Sequence, residues 1–118
     1  MIEKVVYDYL TECEIAPVYT ELPESAPNPG GNAFIVIEKT GGGKTNHVHT
    51  ATFAVQSYAP TLYEAAQLNE EVKQAMFEIV TLNEISRSAL NSDYNFTDTS
   101  TKQHRYQAVF ELTYYEGA

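Results

Sequence analysis

Cysteine occurs once, at Cys13, and tryptophan does not occur at all. One thiol can build neither an internal disulfide nor a thiolate metal cluster, so the fold must stand on its apolar core. Cations are scarce too: 7 Lys and Arg face 16 Asp and Glu, for a net charge of −9. That balance argues against a domain that grips nucleic acid by neutralising phosphates. It fits a protein whose acidic surface must not adhere to a polyanion. Long hydrophobic runs are missing. The longest strictly apolar stretch runs from Ala33 to Ile37, far short of the roughly 20 residues that span a bilayer. The N-terminus carries Glu3, Lys4 and Asp8 and no apolar h-region, so neither a signal peptide nor secretion is expected. In that setting the acceptor pattern Asn95-Phe96-Thr97 reads as a chance match. Sequence signatures of catalysis are also missing: there is no Gly-x-Ser-x-Gly elbow, Cys-x-x-Cys pair, metalloprotease helix or EF-hand loop. The expectation is a protein that is not an enzyme and needs no cofactor.

What is there suffices for one globular unit. The chain has 118 residues, 43% of them hydrophobic and 12% aromatic, which predicts a single domain over 1–118 with one modest core. Ile2, Val5, Val6, Tyr9, Leu10 and Cys13 recur at helical steps and predict a helix over 2–13. Val18 to Leu22, between Pro17 and Pro23, reads as a short edge strand. Residues 23–32 hold three prolines and two glycines and predict an extended loop. Ala33 to Thr40 is apolar on both faces in its first half and reads as a strand covered on both sides. Gly41-Gly42-Gly43-Lys44 reads as a flexible turn leading to a second strand from His47 to Tyr58. Thr61 and Glu64 have the capping-box spacing at the start of the main helix. From Leu62 to Val80 an apolar stripe follows that should lie on the sheet. Ile85 to Leu90 reads as a strand, 91–101 as a polar, turn-rich loop, and Arg105 to Tyr115 as an alternating strand. The predicted fold class is α+β, in the order α-β-β-β-α-β-β, with a mostly antiparallel sheet of four to five strands flanked by two helices.

Four groups of residues invite a chemical reading. Gly41-Gly42-Gly43-Lys44-Thr45 resembles part of a phosphate-binding loop, but Glu38 stands where the pattern needs its first glycine, and strand residues follow instead of a helix. His47 and His49, two apart on a predicted strand, would share a face and form half of a metal site. A stable site wants three or four ligands, and His104 is the one other histidine. They remain weak metal candidates, and with Lys44 they define a less favoured reading as a metal- or ligand-binding module. Cys13 closes an apolar stripe and is expected to be a buried, inert thiol. The tyrosines, nine of fourteen aromatics, suit interfaces because each joins rigid area to a hydroxyl. On the last strand Arg105, Glu111, Tyr114 and Tyr115 are the interface candidates.

Several segments together resemble a known family. They are Phe34 to Gly42, Ala54 to Ala59, Leu62 to Asn69 with Val72 and Met76, Asn91 to Phe96, and Arg105 to Leu112. In arrangement and character these are similar to the tail terminators, or tail completion proteins, of long-tailed bacteriophages and prophages. The resemblance spans most of the chain and rests on no catalytic signature. It implies a sheet flanked by helices, no catalytic residues and no cofactor. It further implies a ring of six copies that caps the tail tube, ends its growth and meets the head connector. The partners would be the chain itself, the tail tube protein and the connector proteins, and the place would be the virion tail, assembled in the host cytoplasm. Another head–tail joining or minor capsid component of similar fold is the alternative.

Overall fold

The computed structural model describes residues 1–23, 32–100 and 103–115. Helix α1 runs from Ile2 to Glu12, strand β1 covers Val18–Tyr19, and strands β2 (Phe34–Thr45) and β3 (Val48–Ala59) form a long hairpin. Helix α2 spans Leu62–Glu78 and tightens into a 3₁₀ turn over Ile79–Thr81, after which β4 (Ile85–Asn95) and β5 (His104–Tyr115) complete the chain. The order is the expected α-β-β-β-α-β-β. The five strands form one sheet in the order β1-β2-β3-β5-β4. Only the β1–β2 pair is parallel, so the sheet is mixed.

The helices share one face of this sheet. Ile2, Val6 and Leu10 of α1 and Leu68, Val72, Ala75 and Met76 of α2 join Ile35, Ile37, Phe53, Val55, Phe110 and Leu112 in the main core. The helix contribution follows from three- and four-residue spacing and the sheet contribution from alternation. Tyr9 binds the two helices together, donating from its hydroxyl to the Ala75 carbonyl at 2.7 Å. Thr61 caps α2 as the sequence predicts, its hydroxyl accepting from the Glu64 N–H at 3.2 Å. The opposite face of the sheet carries a smaller apolar cluster of Phe34, Val36 and Tyr58. The first half of β2 is thus buried on both sides, as its unbroken apolar run predicts.

Several boundaries differ from expectation. The glycines 41–43 do not turn: they continue β2, paired with Thr52, Ala51 and Thr50 of β3. The turn falls at Asn46 and His47, whose φ values of 50° and 68° give the left-handed geometry that closes a two-residue hairpin. Pairing with β3 holds the glycines extended, and glycine's freedom goes unused there. Strand β1 is only two residues long, and β4 continues five residues beyond the predicted Leu90 to Asn95. Polar Asn91, Ser92 and Asp93 joined a strand because β5 offers them a ladder and their side chains need not be buried. The loop expected over 23–32 lies, except at its ends, outside the described residues.

Candidate functional site

From Glu38 to Val48 every residue of the β2–β3 hairpin is exposed. Ile37 is the last apolar side chain of β2, and the Glu38-Lys39-Thr40-Gly-Gly-Gly-Lys-Thr that follows has nothing to place under a helix. The outer half of β2 and the turn therefore form an exposed arm, while Ala51 and Phe53 of β3 opposite it remain in the core. The molecule measures 46 × 24 × 24 Å, and strands of twelve residues, about 41 Å long at about 3.4 Å per residue, account for most of its long axis.

The helix-side surface of the arm is concave. Lys39, Thr40, Gly41, Gly42, Gly43, Lys44, His49, Thr50 and Tyr114 line a hollow of about 570 Å³. His49 stacks on Tyr114 with ring centroids 5.1 Å apart, and its Nε2, though covered, meets no hydrogen-bond partner. A second hollow, of about 540 Å³, lies where the end of α1 passes α2, lined by Cys13, Glu14, Ile15, Glu71, Gln74, Ala75 and Glu78. Cys13 is therefore only half-buried, against the expectation of an enclosed thiol. Cys13 follows Tyr9 and Leu10, which face α2 and the core, and Glu14, at a φ of 54°, ends the helix.

The histidine pair of the sequence reading does not form. His47 occupies the turn and His49 the strand, so the two do not share a strand face. His104 pairs with Ala59, at the other end of β3. Among the described residues no three of His, Cys, Asp and Glu come together where they could hold a metal ion. The phosphate-loop resemblance ends likewise, since Lys44 and Thr45 sit on a strand and open no helix.

The interface candidates of β5 separate. Tyr114 is 8% exposed and belongs to the main core, because alternation puts it on the same face as Phe110 and Leu112. Arg105 is used within its own chain. Its Nε donates to the Phe96 carbonyl at 2.6 Å and its Nη1 to the Tyr58 hydroxyl at 2.9 Å, and its guanidinium lies 4.3 Å over the Phe96 ring. Glu111 and Tyr115 are exposed, Tyr115 to 54%.

What the sequence reading missed is the polar row across the open face. Tyr58 donates to Gln56 at 3.2 Å, Gln56 to Gln107 at 2.8 Å, and Gln107 to the Tyr94 hydroxyl. Glutamines on alternating strands carry no advance signal, since their meeting depends on register. A second missed group joins α2 to β4: Asn69 and Lys73 donate to the two carboxylate oxygens of Asp93 at 2.7 and 2.6 Å. The bonds to Asp93 and then Glu70 hold the Lys73 ammonium above its usual pKa of 10.5.

No helix among the described residues is long and apolar enough to cross a membrane. No protein-family model matches the chain, and a search of curated proteins finds no match.

Proposed function

We propose that this chain is a non-enzymatic structural protein of a phage or prophage tail, whose copies form a ring that caps the tail tube, ends its polymerisation and joins it to the head connector. The observation that carries this reading is the bare arm. Residues 38–48 are ordered yet exposed, so their loss of conformational entropy is offset by ladder bonds and by little burial of their own side chains. Burial against another chain would add to that offset. Two further features support it. The outer edge of β4 has no strand beside it among the described residues, and the arm lies toward the other edge of the sheet. A ring needs two different patches per subunit, so that each copy meets the next head to tail. Strand addition at an open edge is one physical route to such a contact. The charge of −9 suits a ring around a passage that DNA must cross without adhering.

Deleting the gene from its phage or prophage tests this directly. Negative-stain images are expected to show tail tubes of uncontrolled length that fail to join heads. Tubes of normal length that still join heads overturn the proposal, whereas tubes of normal length that fail to join point to a connector component.

A further inference from the structure

We infer that the arm of one copy seats on the acidic cleft between α1 and α2 of the next copy. This rests on the ring reading and names its contact. The charges of the chain are segregated. Between residues 33 and 63 Glu38 is the only acid, while Lys39, Lys44, His47 and His49 all lie in that stretch. The cleft carries the opposite sign. Glu14, Glu71 and Glu78 line it, and Glu71 and Glu78, seven residues apart, lie on one exposed stripe of α2. The described ion pairs join Lys4 to Asp8, and Lys73 to Glu70 and Asp93. None of them uses a cleft glutamate.

The arm is also shaped to receive carboxylates. A Cβ at position 42 would stand 3.0 Å from the Thr50 carbonyl oxygen and 3.4 Å from the Lys39 Cε. Gly42 thus keeps the hollow open and lets the Lys39 chain lie along its floor. Ion pairs exposed to water contribute little, but those enclosed by two chains fix register and speed encounter. Because arm and cleft are different patches, the contact is heterologous and propagates to a third and fourth copy.

The lone Cys13 lines the cleft, which makes the contact trappable. Lys44→Cys, and separately Lys39→Cys, place a thiol on the exposed arm. Under mild oxidation at millimolar protein, either variant is expected to give a disulfide ladder beyond dimer on a non-reducing gel. Adding Cys13→Ser is expected to remove every species above dimer. Charge reversal gives a second reading by analytical ultracentrifugation, with circular dichroism confirming the fold. Lys39→Glu/Lys44→Glu and Glu71→Lys/Glu78→Lys are each expected to remain monomeric. Their equimolar mixture is expected to recover oligomers beyond dimer in which the two variants alternate, since each variant's arm then meets a cleft of opposite sign on the other. Absence of the ladder, arm-to-arm dimers alone, or oligomers indifferent to both charge reversals would overturn the inference. Oligomers without the ladder would leave the ring reading standing. A ladder from a protein whose deletion leaves tails normal would do the reverse.

Discussion

Tyr9 and Asp93 show how single polar groups fasten the helical layer. The Tyr9 phenol, part-buried and bonded to the Ala75 carbonyl, is pushed from its ordinary 10.0 up to about 12, first by burial and then by the nearby Cys13 and Glu78. The raised value means that the folded chain keeps a proton the unfolded chain has released. The associated stability is complete below pH 10.0 and is lost as the pH rises through about 12. Lys73 adds a fall of the same sign above 10.5. Tyr9→Phe is expected to cost about 1 kcal/mol at neutral pH and to flatten the alkaline loss, as measured by urea unfolding at stepped pH. Asp93→Ala is expected to cost more, about 2 kcal/mol, because it strands the buried Asn69 amide and leaves the Lys73 ammonium with Glu70 alone. Asn69 is 2% exposed, and its side chain has no other hydrogen-bond partner among the described residues. A shift of the urea midpoint with unchanged slope checks this.

At the scale of elements, the arm depends on its turn. Asn46 and His47 both adopt positive φ, a region that asparagine and histidine visit and that glycine, lacking a β-carbon, enters at no steric cost. His47→Gly is expected to stabilise the hairpin by about 0.5 kcal/mol, seen as slower amide exchange across Lys44 to His49. The edge strand β4 is kept from indiscriminate pairing in a different way. Register shifts between Ile85 and Arg87 and between Leu90 and Ser92 interrupt its ladder with β5, and such bulges twist an edge away from casual partners. The arm has one shift, between Lys39 and Gly41, and bears its own deterrent in its charges.

Taken whole, the molecule sets a long-range repulsion against a local attraction. Every copy carries −9, yet the arm is cationic. Screening reaches over roughly 10 Å at 0.1 M salt and roughly 3 Å at 1 M. Raising salt first weakens the repulsion between whole chains and only later the close ion pairs. Self-association, followed by light scattering, is therefore expected to pass through a maximum with salt concentration. A monotonic decline would mean that net charge plays no part.

The linear chain determined whatever depends on periodicity and on neighbours in sequence. The stripes of α1 and α2, the Thr61 cap, the alternation of β5, the doubly covered start of β2 and the α+β order were all legible, because side-chain direction repeats every 3.6 or 2 residues. Tertiary structure decided what depends on register and reach. It held three glycines in a strand and moved the turn to Asn46–His47, so the two histidines parted. It drew polar Asn91–Asn95 into β4, sank Tyr114 and committed Arg105 to Phe96 and Tyr58. It also brought Asn69 to Asp93 and gathered Glu14 with Glu71. These meetings join residues far apart in the chain, and a hydrogen-bond ladder or a helix crossing sets their distances. No local pattern encodes that.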